Sequence, residues 1–286
     1  MKILILYFSG TGNTKFIANK IATKLERKGH HVTPASVENV EPEEASSYDF
    51  LVFGYPIYGY DMPKFLKGYL ERLSLPSSRG GAVYDTMGYD GGNSLRVTAE
   101  KLIEKGFVVV GTAEFKMPGN DGLAITDWKS KTAQQVLSTD YGRSQEIREG
   151  VERLVDQIDA GVDRVIKQSE GNPPKRKFIY RLLTPATKLL FDIFERVFTG
   201  KFRADESCIG CGLCERICPA DNIVVHGTEV EFGDDCYFCL RCLHQCPVEA
   251  IQITRFTEGK FRYRGPTGNY VPAPLVGEGR EDSGSA

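Results

Sequence analysis

The chain opens on a strongly apolar run, Ile3 to Phe8, then turns polar at Ser9 to Thr14, and apolar residues resume at helical spacing through KFIANKIATKL. That change of period predicts a strand at 2–8 and a helix at 15–28. The same reading places strands at 31–37, 80–86 and 107–115, and a fully buried strand in DFLVFG at 49–54. Helices are expected at 64–73, 94–105 and near 143–166. Five strands alternating with helices predict a doubly wound parallel α/β sheet, with ligands beyond the carboxyl ends of the strands.

Composition narrows the picture. The 286 residues are 41% apolar, as in an ordinary globular protein, and a formal charge of −2 gives no global case for nucleic acid. The apolar start is too short for a signal-peptide core and is followed by no cleavage pattern, and no window has the uninterrupted length that spans a bilayer. The expectation is a cytoplasmic protein with reduced thiols.

All eight cysteines lie between Cys208 and Cys246. They form two copies of C-x2-C-x2-C-x3-C-P, CIGCGLCERICP and CYFCLRCLHQCP, offset by 28 residues, with Ile223 matching Ile251. Three cysteines at such short spacing can wrap a loop around an inorganic cube, with the fourth ligand coming from elsewhere. Structural zinc usually separates two C-x2-C pairs by a long gap, and disulfides do not suit a reducing compartment. Segment 205–254 resembles the bacterial two-[4Fe-4S] ferredoxins, all eight ligands and both prolines being present. The resemblance implies that Cys208, Cys211, Cys214 and Cys246 hold one cluster, and Cys236, Cys239, Cys242 and Cys218 the other. His244 then has no ligand position left, and is expected to be solvated or to lie behind the ligands.

A glycine-rich turn between a strand and a helix presents N–H groups to an anion at the positive end of the helix. Gly10 and Gly12 are followed by Asn13, Thr14 and Lys15, so neither the P-loop order nor the third glycine of the dinucleotide pattern is present. What remains, Ser9, Thr11, Asn13 and Thr14 with two glycines, suits a terminal monoester held by neutral donors. SGTGNT after a first strand resembles the phosphate loop of flavodoxins, which bind FMN. The resemblance implies that Ser9, Gly10, Thr11, Gly12, Asn13 and Thr14 hold the phosphate. It also implies that the loops after the third and fourth strands enclose the flavin ring, through Pro56, Ile57, Tyr58 and Gly59 and through Gly88, Tyr89, Asp90 and Gly91. Tyr58 is the first choice for a stacking residue and Tyr89 the second, surface or packing duty being the alternative for both. KMPGND, 116–121, follows the fifth strand at the same sheet edge. About 25 residues separate that strand from the last helix, a length that suggests a functional or partner-facing insertion holding Trp128 as packing.

Residues 173–203 carry eight Lys or Arg and two acids, a net of +6, and apolar residues at helical spacing interrupted by Pro185. Residues 205–254 carry two Arg and nine acids, a net of −7. The basic segment is expected to kink at Pro185 or to break there into two short helices, and to pack between the domains, with a membrane-surface helix or a partner-docking site as alternatives. GKFRYRGPTGNY could fold back on a domain, and the final GEGREDSGSA reads as disordered. The expected domains are therefore 1–168, flavodoxin-like and FMN-binding; 169–204, connector; 205–254, a small α+β two-cluster ferredoxin domain; and 255–286, an extension. Both halves together resemble flavodoxin and ferredoxin fusion proteins, which implies electron transfer between FMN, two [4Fe-4S] clusters and redox partner proteins. A flavin-dependent reductase acting on a small acceptor, with the clusters as input, is the alternative.

Overall fold

The computed structural model describes residues 1–73, 79–166, 189–190 and 193–273. The expected kink at Pro185 and the expected disordered end at 274–286 lie outside the described residues. Two compact units emerge: Met1–Ser9, Asn13–Gly119 and Asp140–Asp192 form the first, and Gly10–Gly12, Asn120–Thr139 and Ile193–Ala286 the second.

In the first unit, β1 (Lys2–Tyr7), β2 (His31–Ser36), β3 (Phe50–Pro56), β4 (Arg79–Met87) and β5 (Phe107–Lys116) pair in the order β2-β1-β3-β4-β5, all parallel. Each predicted strand is present within two residues of its expected bounds. The inner strands are buried on both faces, which is why they read as apolar runs rather than alternations. Pro34 sits in β2, at the sheet edge, where a missing N–H costs no central ladder bond. Helix α1 (Asn13–Arg27) buries Ile17, Ala18, Ile21, Ala22 and Leu25 against the sheet, and α6 (Gln145–Ile166) buries Ile147, Val151, Leu154, Val155 and Ile158 in the same core. Their spacing by three and four residues puts each set on one helix face. Helices α2 (Lys64–Arg72) and α3 (Ser94–Glu104) complete the predicted alternation.

The second unit holds the cysteines. It contains α4 (Asn120–Leu123), α5 (Lys131–Ser138), helical residues 193–199 (α7), β6 (Arg203–Ala204), α8 (Leu213–Arg216), a hairpin of β7 (Ile223–His226) and β8 (Glu229–Phe232), α9 (Arg241–Gln245) and β9 (Ile251–Gln252). The strand β6 pairs antiparallel with β9, and β7 with β8. The region 116–142, which sequence reading treats as an insertion, thus gives Asn120–Thr139 to the cysteine-bearing unit. There Leu123 and Ala133 bury Phe261 and Tyr263, and Trp128 packs edge-on to Phe261 at 4.8 Å. Residues 261–263 do fold back, onto this layer.

Candidate cofactor-binding sites

Ser9–Thr14 leaves β1 where the chain first turns to one side of the sheet and later to the other, the switch point at which open α/β sheets form a crevice. Ser9, Thr11 and Thr14 are buried, and Gly12 has φ +101°, a backbone that favours glycine. The Thr14 and Asn13 side chains reach outside the turn. Thr14 Oγ1 lies 2.8 Å from Thr86 Oγ1, and Asn13 Nδ2 donates to the Pro118 carbonyl at 2.9 Å. The Tyr84 hydroxyl donates to the Thr14 carbonyl at 3.0 Å. Within the second unit, Arg241 Nε donates to the Gly10 carbonyl at 3.4 Å, and the Tyr270 ring occupies the space a Cβ on Gly12 would need.

The loops beyond β3, β4 and β5 are tied to one another by their backbones. Ile57 N–H donates to the Thr86 carbonyl at 2.9 Å, and Met117 N–H to the Met87 carbonyl at 2.9 Å, so strand pairing continues past the sheet. Tyr58 and Asp61 exchange two backbone bonds around Gly59 and Tyr60, both at positive φ as a type I′ turn requires. Lys67 pairs with Asp61. This turn leaves Tyr58 half-buried, and Tyr89 is 82% exposed. Asp90 Oδ1 accepts the Gly92 N–H at 2.7 Å, and Gly88 closely approaches Gly119. Asp85 and Glu114 are register partners on β4 and β5, and one carboxylate oxygen of each lies about 3 Å from the point where a Cβ on Gly91 would sit. Sequence reading missed both, because each carboxylate stands inside a run that reads as apolar strand.

The two cysteine copies share a backbone fold as well as a spacing. Left-handed φ values recur at the 28-residue offset, at Gly210 and Phe238 (+65° and +49°), Gly212 and Leu240 (+67° and +58°), and Asp221 and Glu249 (+49° and +56°). The copies differ in exposure. Ile209 is 61% exposed and Cys211 lies at the surface, whereas Phe238, Cys239, Leu240 and Arg241 are buried. Phe194 and Phe202 contact the Phe238 ring at 5.7 and 6.1 Å.

Cys208, Cys211, Cys214 and Cys246 border one cavity. Burial pushes the Cys214 thiol up to about 11, with further lifts from Cys211 and Cys246. Burial likewise pushes Cys236 up to about 12, aided by Cys239 and Cys218, and raises Cys242 well above the ordinary range. Backbone N–H groups point at sulfur, among them Asn222 to Cys218 at 3.4 Å, Phe238 to Cys236 at 3.4 Å and Ala250 to Cys246 at 3.2 Å. Such donors favour an anionic sulfur, as a cluster ligand must be.

His244 is not solvated: it is 0% exposed. Its Nδ1 accepts the Tyr263 N–H at 3.0 Å, and its Nε2 bonds the Asn120 carbonyl at 2.9 Å, which assigns the proton to Nε2. Burial lowers its pKa to about 3, against the Asn120 bond and with Arg262 and Arg264 adding to the fall. Asn120 Nδ2 in turn donates to the Cys239 carbonyl at 3.0 Å. Nothing local in CLHQC marks the histidine as buried, since its partners lie in segments distant along the chain.

A parallel 2-1-3-4-5 sheet with a hydroxyl-rich loop at its switch point, and eight thiols in two repeated copies, define a redox protein of the flavin and iron–sulfur class. Comparison with known proteins agrees. The family model described as a flavodoxin domain matches residues 4–83, and that described as a 4Fe-4S dicluster domain matches 207–250. A flavodoxin of Clostridium beijerinckii is 30% identical over 111 residues, covering 38% of this chain and 80% of that one. An uncharacterized protein of Methanocaldococcus jannaschii is 35% identical over 82 residues, 28% of this chain, and the match spans only 32% of that relative. A solved flavodoxin from the domain Archaea aligns at 22% identity and TM-score 0.42, over 56% of this chain and 98% of that one. Through its first half the chain belongs to the flavodoxin family, and it joins that domain to a two-cluster ferredoxin domain. It is thus an electron-transfer chain, with FMN and two [4Fe-4S] clusters as its cofactors. Among the described residues no helix is long and apolar enough to cross a membrane.

Proposed function

We propose that this chain relays electrons in series between FMN, two [4Fe-4S] clusters and external redox proteins. The observation that carries the reading is the cavity bordered by Cys208, Cys211 and Cys214 of one copy and Cys246 of the other. Thiols drawn from both copies around one space support two crossed ligand sets, the second being Cys236, Cys239, Cys242 and Cys218. FMN, when bound, exchanges one or two electrons, and each cluster exchanges one. The protein's part is to hold and shield. In this reading the N–H groups and hydroxyls of Ser9–Thr14 take the phosphate, while Pro56–Gly59 and Gly88–Gly91 flank the ring. The exposed Cys208–Cys214 loop faces outside partners. Segment 205–254 carries a net charge of −7, so partners with basic surfaces fit it, with rates that fall as salt rises.

Anaerobic purification with iron, sulfide and flavin quantified tests the proposal. About eight irons and about one FMN per chain are expected. A preparation holding zinc in place of iron, and lacking flavin, would sink it.

A further inference from the structure

After the second cysteine copy the chain runs through FRYR, Phe261–Arg264, which has no counterpart in the cysteine repeat. Phe261 N–H donates to the Thr126 carbonyl at 2.8 Å, and Phe261 and Tyr263 are buried under Leu123 and Ala133. The alternation of an extended segment then turns Arg262 and Arg264 to the other side. Arg264 donates from Nη1 to the Gln245 carbonyl at 3.4 Å and from Nη2 to the Cys246 carbonyl at 2.9 Å. Arg262 is 2% exposed, and its Nη2 donates to Ile251 O at 3.5 Å and to Gln252 Oε1 and Thr257 O, both at 3.0 Å. Its Nε and Nη1 are buried and meet no hydrogen-bond acceptor among the described residues. Glu249, Asp205 and the Cys246 sulfur are its opposing charges, and Arg264 its like charge.

The corresponding cysteine of the first copy is served differently. Ile217 stands where Gln245 does in the repeat, and its carbonyl accepts Arg241 Nη1 at 2.9 Å. Each carbonyl just before a crossing cysteine therefore takes one guanidinium. Among the described residues, Cys246 alone has a second arginine beside it, buried and with donors to spare. Buried guanidinium N–H groups left without acceptors are costly, so they persist where further negative charge answers them. A cluster with four thiolate ligands is such an anion, and it gains negative charge on reduction.

We infer that Arg262 and Arg264 form a tuning pair that raises the reduction potential of one cluster, the one Cys246 ligates, and so sets the two clusters apart in potential. This rests on the crossed ligand sets proposed above. Both arginines are positioning residues acting on a ligand's surroundings, and the electron count of the cluster is unchanged by them.

The test is an EPR-monitored redox titration of the anaerobic holoprotein and of Arg262→Met, Arg262→Lys and Arg264→Gln, with iron and sulfide assayed in each. In Arg262→Met and Arg264→Gln one cluster should move to a more negative midpoint. The expected change is about tenfold or more in its reduced-to-oxidised ratio at fixed potential, about 59 mV for a one-electron couple. The other cluster should stay in place. Arg262→Lys should recover most of the shift, since it keeps the charge and loses the planar fork. Equal movement of both clusters, no movement, or equal effects of Met and Lys would overturn the inference. If Arg262→Met fails to retain iron, Arg264→Gln at its less buried site decides by the same criterion. A wild-type protein with fewer than two clusters would instead overturn the ligand reading beneath it.

Discussion

Serine in place of Cys246 is expected to halve the iron held by the chain, from about eight atoms to about four. Cys246 closes α9, is buried, and accepts the Ala250 N–H at its sulfur. Serine puts a harder, shorter ligand there, a poor substitute where soft thiolate binds iron. The useful part of the experiment is the pairing. If Cys246 shares a cluster with Cys208, Cys211 and Cys214, then adding Cys211→Ser should cost little further iron. Adding Cys239→Ser to Cys246→Ser should remove nearly all of it. The reverse pattern would mean that each copy keeps its own four cysteines, and the crossed sets would be wrong.

The second large effect is expected at Gly54, far from any thiol. Gly54 of β3 is the register partner of Tyr84 on β4, and the Tyr84 ring lies across it. A Cβ built on Gly54 would sit 2.1 Å from Tyr84 Cζ, well inside contact distance, in a fully buried place. Gly54→Ala must therefore displace a large ring in a packed core, which costs about 2 to 3 kcal/mol. For a domain of this size that lowers the melting temperature of the flavodoxin domain by about 5 to 10 °C. The same displacement takes the Tyr84 hydroxyl from the Thr14 carbonyl, so FMN affinity should fall as well. Tyr84→Phe separates the two effects. It removes only the hydrogen bond, leaving the Thr14 carbonyl one donor short, a cost of about 1 kcal/mol. Melting of Gly54→Ala that matched the wild type would show that β3 and β4 can part without penalty, contrary to the packing seen.

The alternating elements of the first unit were legible because burial imposes a period on them. Ile3–Tyr7 and Phe50–Tyr55 are buried on both faces, and α1 and α6 on one, and each leaves its mark in neighbouring residues. The cysteine spacing was legible for a similar reason, since a loop that wraps a cube fixes short intervals. What stayed hidden was set by distant partners. Arg241 in CLRC carries no local sign of burial, yet it is buried and donates to the Ile217 carbonyl across the repeat. His244 is enclosed by Asn120 and Tyr263, neither of them its neighbour in sequence. Residues 120–139 read as an insertion because nothing in them announces that Leu123 and Ala133 complete a layer with Phe261 and Tyr263. Gly54 could be placed at a strand end, but the reason for a glycine there lies in Tyr84.

The two cysteine loops match in spacing and backbone but not in exposure, and that inequality sets an order of decay. The first copy puts glycine at its left-handed positions and leaves Cys211 at the surface, where its loop can open with little loss of apolar contact. The second puts Phe238 and Leu240 there, at about 1 to 2 kcal/mol of backbone strain each, offset by burial among Phe194, Phe202 and Leu243. Opening that loop means opening the core. Under air, iron should leave in two stages, about half of it early and the rest only as the unit unfolds. Release followed against tryptophan or circular dichroism signals reads this directly, and loss in one phase would show that the two loops open together. A protein built this way would come through brief oxygen exposure with the cluster of its buried loop intact and that of its exposed loop gone, left with part of its capacity for charge.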